Sequence, residues 1–204
     1  MLLGYQKGVF LMADEKTAAE LFWVKPKRRG ILPVGKLHIS KSLKKFIRTT
    51  DLSMSLNTCF SEVVEQCSNR PNTWINEELR KLYLELHKLK HAVSIEIWSQ
   101  KRLIGGLFGV RIGSCFCGES MFSSSKNGSK LAMIVTMAHL CQNKFTLFDT
   151  QFLTEHLSRM GGREISQSEY EKQLHVALGR PCEFLNFPIN YSWSEVIQLN
   201  NHKL

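Results

Sequence analysis

Residues 93–123 read VSIEIWSQKRLIGGLFGVRIGSCFCGESMFS, and this stretch decides the fold. Apolar and polar residues alternate over Val93–Trp98, which is the two-residue period of a β-strand. A turn candidate follows at 99–101, and two further strands are predicted at 103–112 and 115–123. Three successive strands joined by short turns favour an antiparallel meander.

Helical periodicity is found on both sides of this meander. Leu79, Tyr83 and Leu86 belong to an apolar stripe that predicts one helix. The same reasoning predicts helices at 58–67, 76–90, 129–142, 153–160 and 168–178, with a further strand at 145–149. The chain is therefore predicted to be α+β, with helices packed on a mostly antiparallel sheet.

Two acidic residues follow apolar strand sequence and are interpreted as strand-end residues. They are Glu119 and Asp149, the only acidic residues between positions 101 and 150. Because burying a carboxylate is costly unless a partner stabilises it, the two predict a polar pocket. The alternative is that each carboxylate accepts structural hydrogen bonds from the backbone, and the residues alone leave both readings open.

The bulk composition is that of an ordinary globular protein. The 204 residues are 43% hydrophobic and 22% charged, which suits one substantial core. No apolar run approaches the ~20 residues of a transmembrane helix, and the start is not a convincing signal peptide, so a cytoplasmic protein is expected. The six cysteines match no zinc spacing and are expected to be reduced core residues.

The net charge of +9 is concentrated in one segment. Residues 21–50 contain nine Lys or Arg and no acid; removing these nine from the total of 27 leaves 18 basic residues against 18 acidic ones. From the predicted N-cap Ser40, four cations share one helical face while Leu43 and Ile47 face the core. The four are Lys41, Lys44, Lys45 and Arg48. A cationic face without acids favours a polyanionic partner over a plain solvated surface.

Two further features each allow two readings. Glycines at 105, 106 and 109 fall inside a predicted strand, where they either admit a ligand beside the sheet or relieve crowding against a helix. Trp74 precedes a predicted helix and is either a core residue or a ring that stacks on a nucleobase, an interaction of roughly 1–3 kcal/mol.

Taken together, the motifs resemble the leucyl/phenylalanyl-tRNA–protein transferase family from Gly4 to about Leu178. The matching motifs are Gly4-Tyr5-Gln6-Lys7-Gly8-Val9-Phe10, Leu37-His38-Ile39-Ser40-Lys41-Ser42-Leu43, Thr73-Trp74-Ile75, Gly105-Gly106-Leu107-Phe108-Gly109-Val110, Phe116-Cys117-Gly118-Glu119-Ser120-Met121-Phe122-Ser123, Ser129-Lys130, and Asp149-Thr150-Gln151 with His156. Phe116 to Ser123 is the most specific of them.

The resemblance implies an acetyltransferase-like (GNAT) fold behind a small, truncated N-terminal domain. The expected division is an N-terminal remnant at 1–25, an aminoacyltransferase domain at 26–190 and a tail at 191–204. The implied reaction moves Leu or Phe, and less readily Met, from an aminoacyl-tRNA to a protein whose N-terminus is Arg or Lys, which tags that protein for N-end-rule degradation. The ester is already activated, so no cofactor or metal is expected, and a monomer without membrane association is expected.

The resemblance also assigns three groups of site residues. At the reacting centre are Asp149, Gln151 and Glu119, where Gln151 positions the ester or amine, Asp149 orients its neighbours or accepts charge, and Glu119 binds a cation of the acceptor. The aminoacyl pocket comprises Leu107, Met121, Ser123, Met133 and Thr136. The tRNA-binding residues are Trp74, Met12, Lys41, Lys44, Lys45 and Arg48. Whether Asp149 or Gln151 acts as a general base is left open.

The chain departs from the family pattern at two positions. Many members have Pro-Trp where this chain has Leu11-Met12, so Trp74 is expected to stack alone or with Met12. Thr136 stands where a larger apolar residue is common, which predicts a larger pocket or a changed preference between Leu and Phe. Two other functions are kept as alternatives: an acetyl-CoA-dependent N-acetyltransferase, whose pyrophosphate loop is not found, and a non-catalytic RNA-binding module.

Overall fold

Strands and helices follow the predicted order through the middle of the chain. The computed structural model describes residues 1–18, 20–70, 73–185 and 189–200. The described strands are β1 (Phe10–Met12), β2 (Phe22–Val24), β3 (Arg28–Ile31), β4 (Ser53–Leu56), β5 (Ala92–Ser99), β6 (Arg102–Ile112), β7 (Cys115–Ser123), β8 (Leu147–Gln151) and β9 (Arg163–Ser166). The described helices are α1 (Leu2–Gln6), α2 (Lys41–Thr49), α3 (Phe60–Ser68), α4 (Glu77–Lys88), α5 (Gly128–Gln142), α6 (Glu155–Arg159), α7 (Gln167–Leu178) and α8 (Trp193–Leu199).

Strands β5, β6 and β7 form the predicted antiparallel meander, which is confirmed. They lie within a seven-stranded sheet of order β4-β5-β6-β7-β8-β3-β9. Neighbouring strands in this sheet are antiparallel except for β7 and β8, which run parallel. The predicted α+β class with a mostly antiparallel sheet is therefore confirmed.

Five short strands were not predicted. Strands β1 to β4 and β9 have only three or four residues each, which is too short to display an alternating pattern. The strand predicted to start at position 145 begins at Leu147, because the Phe145 N–H still bonds to the Leu140 carbonyl at the end of α5.

Five of the eight described helices, α2, α4, α6, α7 and α8, begin at a capping side chain. Ser40 Oγ accepts the N–H of Leu43 at the start of α2, as predicted, and Asn76 Oδ1 accepts the N–H of Leu79 at 2.9 Å at the start of α4. The five helices predicted downstream are confirmed with small shifts at their ends, whereas α8 was not predicted. Over the described residues, no helix is both long and apolar enough to cross a bilayer.

The sheet separates two hydrophobic cores, since successive strand residues point to opposite faces. One core joins the sheet to α3, α4 and α7, and its buried members include Val63, Tyr83, Phe108, Val110, Leu147 and Tyr170. The other joins the sheet to α2, α5 and α8, and its buried members include Ile47, Ile95, Phe116, Ile134, Phe148 and Val196.

Residues near both ends of the described chain pack against the sheet and its helices. Tyr5 and Phe10 belong to the same core as Phe108, and the division into domains stays a prediction. At the other end, Trp193 Nε1 donates to the Leu52 carbonyl at 2.7 Å, which fastens α8 to the segment after α2. The tail, for which no role was predicted, thus packs against the protein over the residues described before position 201.

Strands β7 and β8 part at the point where the predicted polar residues begin. Their parallel pairing runs from Cys115 opposite Leu147 to Cys117 opposite Asp149. The prediction that Asp149 ends its strand is wrong, because β8 continues to Gln151. Beyond the last pair, each strand pairs with its neighbour on the other side, and a space opens between them.

A β-bulge lies in β7 at this opening. Gly118 pairs with Gly109 and Ser120 pairs with Phe108, so Glu119 is the extra residue. A bulge bends its strand and redirects a side chain. The prediction that Glu119 lies at a strand end is therefore wrong, because Glu119 lies in the middle of β7. It is the bulged residue, which has no pairing partner on β6.

Candidate active site

A cavity of about 220 Å³ occupies the opening between β7 and β8. Its lining residues come from both hydrophobic cores, so the cavity reaches from one face of the sheet toward the other. They are Phe10, Met12, Arg70, Trp74, Leu107, Gly118, Glu119, Ser120, Met121, Met133, Phe148, Thr150, Gln151, Phe152, Thr154 and Leu157. Most of this surface is apolar, with polar groups gathered where the strands part.

Three of the five predicted pocket residues line the cavity. They are Leu107, Met121 and Met133, joined by Phe148 and Leu157, which were not predicted. Methionine side chains are unbranched and adaptable, so this wall suits apolar groups of different shapes.

Ser123 and Thr136 do not line the cavity. Ser123 lies on an adjoining polar groove, where its Oγ accepts the N–H of Ser129 and donates to the Ser125 carbonyl. Thr136 is fully buried in α5 and donates to the Ala132 carbonyl at 2.8 Å, one helical turn beyond Met133. An influence of Thr136 on the pocket stays a prediction.

Aromatic side chains surround the outer part of the cavity. Trp74 and Met12 line it together, as the predicted tRNA-binding assignment requires. Phe152 also lines it and is 47% exposed, while its ring meets the edge of Phe10 at a centroid distance of 5.6 Å. A partly exposed ring held edge-on by a buried one offers a flat surface for stacking.

Gln151 adopts a strained conformation at the end of β8. Its φ is +56°, and the Phe152 N–H bonds to the Thr150 carbonyl at 2.6 Å across it. Residues other than glycine rarely occupy this region, and such strain of roughly 1–3 kcal/mol is concentrated at functional sites. The turn leaves the Gln151 side chain at the cavity, where its Nε2 donates to Glu119 Oε1 at 3.1 Å.

Glu119 is a buried carboxylate with a proton affinity suited to neutral pH. It is 7% exposed and accepts the Tyr83 hydroxyl at 2.7 Å. Burial raises the pKa of Glu119 to about 7, although the hydrogen bond from Tyr83 opposes the change. The hydroxyl of Tyr5 lies 3.5 Å from that of Tyr83, behind the carboxylate.

Asp149 lies behind the cavity and does not line it. Its carboxylate accepts Arg29 Nε at 2.9 Å and Arg29 Nη2 at 2.6 Å, in a two-pronged ion pair. The Tyr170 hydroxyl donates to it at 2.8 Å, and the Gln151 backbone N–H donates at 2.8 Å. With four donors on two oxygens, this carboxylate is placed to hold Gln151 in position.

Arg29 belongs to the segment predicted to form a basic surface, but it is wholly buried. Its guanidinium lies over the rings of Phe10 and Tyr170, at 4.8 Å and 4.3 Å from their centroids, and donates to the Gly8 carbonyl. Burial opposes the charge, yet Asp149 outweighs that effect and raises the pKa of the Arg29 guanidinium above its ordinary value. Of the nine cations of residues 21–50, Arg29 therefore adds no charge to the protein surface.

The cations of the predicted basic helix, α2, lie on the surface and do not line this cavity. Lys41, Lys45 and Arg48 are exposed and Lys44 is half-buried, while Leu43 and Ile47 face the core as predicted. The structure thus brings together Glu119, Gln151, Trp74, Met12 and the apolar pocket residues, and leaves the α2 cations at another place on the surface.

Sequence reasoning missed the partners of both carboxylates. Tyr83 was recognised only as part of an apolar helix stripe, and Arg29 only as one cation among nine. A signal for Arg29 was present: it is followed directly by Gly30-Ile31-Leu32, an apolar run that continues into the core. A cation beside such a run, together with a carboxylate in another apolar run, is the pattern of a buried ion pair.

An apolar cavity that ends on a buried acid–amide pair, within an α+β fold, is typical of an enzyme that binds an apolar group beside polar side chains. The chain belongs to the leucyl/phenylalanyl-tRNA protein transferase family, whose model matches residues 31–175. The resemblance noted in the sequence is thereby confirmed.

Curated relatives with the same family name are similar in sequence over nearly the whole chain. The leucyl/phenylalanyl-tRNA–protein transferase of Roseobacter denitrificans is 43% identical over 198 residues, covering 97% of this chain and 94% of that protein. The protein of the same name from Paracoccus denitrificans is 46% identical over 184 residues, covering 90% of this chain and 87% of that protein. Among solved structures, that of L-PGS from Bacillus licheniformis gives a TM-score of 0.43 at 12% identity, covering 100% of this chain and 70% of that one.

The buried ion pair predicts coupled losses of stability. Arg29→Met and Asp149→Leu should each lower the free energy of unfolding by about 3–5 kcal/mol, because each leaves a buried charge unpaired. The double variant should lose less than the sum, since it contains neither charge. Urea unfolding of the four proteins measures this coupling.

Arg28→Met is the matched control. Arg28 is exposed and pairs with Glu164 at 3.5 Å on the surface, so its loss should change stability by no more than about 1 kcal/mol. Strictly additive losses at positions 29 and 149 would show that the two side chains do not stabilise one another.

The raised pKa of Glu119 predicts a pH-dependent stability. Its folded pKa is about 7 against an ordinary 4.5, so between these values the folded state holds more protons and this residue makes the protein less stable as pH rises. Glu119→Gln removes that dependence. Thermal unfolding should show the variant gaining about 1–3 kcal/mol relative to wild type between pH 4.5 and pH 8. A constant difference across this range would contradict the assignment.

Proposed function

We propose that the protein transfers a leucyl or phenylalanyl group, and less readily a methionyl group, from aminoacyl-tRNA to the N-terminal Arg or Lys of an acceptor protein. Family membership supports the reaction class. The observation that carries the proposal is the apolar cavity that ends on Glu119 and Gln151, because it joins a place for the amino-acid side chain to a place for an amine.

The side chain of the transferred residue enters between the sheet and α5. Leu107, Met121 and Met133 form its walls, with Phe148 and Leu157 beside them. An apolar pocket discriminates only modestly among side chains that differ by a few methylenes, so Leu, Phe and Met are accepted together. With the side chain there, the ester carbonyl lies toward the point where β7 and β8 part.

Glu119 accepts the proton that the reaction releases. The acceptor α-amine, with a pKa of about 7.7–8.0, attacks the ester carbonyl; a C–N bond forms and the C–O bond to the ribose breaks. The amine proton passes to Glu119, whose pKa of about 7 makes that transfer nearly balanced, and then from Glu119 to the departing ribose oxygen, which leaves Glu119 ionised again. The carboxylate also attracts a cationic N-terminus before attack.

Gln151 and Asp149 act through position. An amide is a poor base, and Gln151 Nε2 is already directed at Glu119, so Gln151 orients the carboxylate and borders the reacting carbonyl. Asp149 is a positioning residue, because its oxygens hold Arg29, Tyr170 and the Gln151 backbone and it does not line the cavity. In this proposal the general base is Glu119, and neither Asp149 nor Gln151 accepts the proton.

The RNA is bound by stacking and by charge. The ring of Trp74 stacks on the terminal adenosine, and Met12 packs beside it. The four cations of α2 attract the phosphate backbone, which suits the net charge of +9. The proposal also includes a GNAT-like fold and a role in N-end-rule degradation, both of which the family resemblance implies.

A transfer assay tests the function. Purified protein, labelled Phe-tRNA and a peptide starting with Arg should yield labelled peptide, and RNase treatment should abolish it. An otherwise identical peptide with an acetylated N-terminus is the control, since it has no nucleophilic amine. Absence of RNase-sensitive transfer would reject the proposal. Label transfer that requires acetyl-CoA would favour the acetyltransferase alternative, and RNA binding without transfer would favour the binding module.

Glu119 predicts the pH profile of this reaction. At saturating Phe-tRNA, kcat/KM for the peptide should rise with pH in two steps in wild type: one midpoint near 7 for Glu119, which must be ionised to accept a proton, and one near 8 for the amine of the free peptide. Glu119→Gln should lower the rate by roughly 10²-fold or more and leave only the midpoint near 8 of the amine itself. Gln151→Ala should lower kcat while keeping the midpoint near 7. A midpoint near 7 that persists in Glu119→Gln would show that another group accepts the proton.

A further inference from the structure

Helix α6 separates the apolar cavity from a second, polar cavity of about 270 Å³. Thr154 and Leu157 line the first, whereas Glu155, His156 and Arg159 line the second. The second cavity is lined by His38, Ser40, Leu43, Lys130, Glu155, His156, Arg159 and Met160. None of its residues belongs to the reacting centre, so its role is separate from that of the first cavity.

The cavity offers positive charge and hydrogen-bond donors. Arg159 is paired with Glu155, so these two charges largely cancel. In the described parts of the chain, no carboxylate forms an ion pair with Lys130. Lys130 and two histidines, His38 and His156, are left to face a ligand, and this set suits an anion.

His156 provides an independent observation. Its Nε2 is buried and has no hydrogen-bond partner within the described residues. Burial, followed by the nearby charges of Lys130 and Arg159, lowers the pKa of His156 below its ordinary value. A ring nitrogen without a partner, near the ammonium of Lys130, is the environment that a bound anion would satisfy.

The beginning of α2 completes the cavity. Ser40 and Leu43, the cap and the first-turn residue, line it, and the nine-residue helix starts between them. Backbone N–H groups and the helix dipole favour an anion at this end. The surface then continues along α2 with Lys41, Lys44, Lys45 and Arg48, so the cavity lies at one end of a cationic track.

We propose that this second cavity binds one phosphodiester of the RNA strand that carries the aminoacyl ester. The inference rests on the proposed function, because it places the ester in the first cavity and therefore the 3′-terminal backbone next to α6. A phosphate there bonds to Lys130 and His156 and is held against the start of α2. This contact selects one phosphate at a fixed number of nucleotides from the ester. The α2 cations, by contrast, attract whichever phosphates lie near them.

Neutral backbone linkages test the contact. The probes are RNA hairpins with an unpaired CCA end and no amino acid, each carrying one uncharged methylphosphonate at one of the three 3′-terminal linkages. Their Kd values are measured by fluorescence anisotropy with wild type, Lys130→Met and Lys45→Met. Lys45 is the matched control, because it is an exposed cation that does not line the cavity. Thermal unfolding verifies that each variant is folded.

At one linkage, wild type should bind the neutral probe about tenfold more weakly than the natural RNA, as a charge-assisted contact requires. For Lys130→Met, the neutral linkage at that position should raise Kd by less than about twofold. For Lys45→Met it should still raise Kd about tenfold, and Kd should be higher by the same factor for all probes. His156→Gln, like Lys130→Met, should make the loss of affinity at that linkage smaller than it is in wild type. Equal losses for wild type and Lys130→Met at every linkage would overturn the proposal.

The transfer assay distinguishes this failure from failure of the proposed function. Wild type that transfers label but shows no coupling between Lys130 and any linkage would reject the phosphate site alone. Coupling without transfer would support the phosphate site and reject the transferase proposal.

Discussion

The ion pair between Arg29 and Asp149 is the contact on which the site depends. Both side chains are wholly buried, and they join β3 to β8 from positions 120 residues apart in sequence. An ion left alone in such a place would cost several kcal/mol, so neither side chain has an alternative position. Tyr170 and the backbone of Gln151 complete the carboxylate's partners, and the pair thereby fixes the end of β8.

The two carboxylates of the site differ because their partners differ. Asp149 has a fixed cation and two other donors, whereas Glu119 has the hydroxyl of Tyr83, the amide of Gln151 and no cation among its hydrogen-bond partners in the described chain. Burial without a cation raises the pKa of Glu119 to about 7. In the proposed function, two acids of similar intrinsic strength therefore have different roles: Asp149 positions its neighbours and Glu119 accepts a proton.

How far the sequence predicts this arrangement depends on whether a feature is local. The period of two in β5 and the stripe of α4 are written in neighbouring residues, so the meander and the long helices were predicted correctly. Short β3 carries no period, and its Arg29 pairs with a residue 120 positions away, which no local pattern reveals. Glu119 was found as an acid in apolar sequence, but its place in a bulge follows from pairing between β6 and β7.

The predicted site residues divide in the same way. Leu107 and Met133 were assigned from the family resemblance and line the cavity, whereas Thr136 was assigned in the same way and lies one helical turn beyond Met133. Orientation on a helix that is buried all round cannot be read from periodicity, because α5 has apolar residues on every face. Side-chain direction there is set by packing between α5 and the sheet.

The strain at Gln151 connects the ion pair to the cavity. A left-handed turn at a residue other than glycine costs roughly 1–3 kcal/mol, and it persists only where surrounding contacts determine it. Asp149 supplies one such contact through the Gln151 N–H, and β3 supplies another by passing so close that a Cβ at Gly30 would lie 2.6 Å from the Phe152 carbonyl carbon. Without the turn, β8 would continue straight and its side chains would keep alternating between the faces. With it, Gln151 meets Glu119 and Phe152 borders the opening, so the divergence of β7 and β8 becomes a cavity with a polar end.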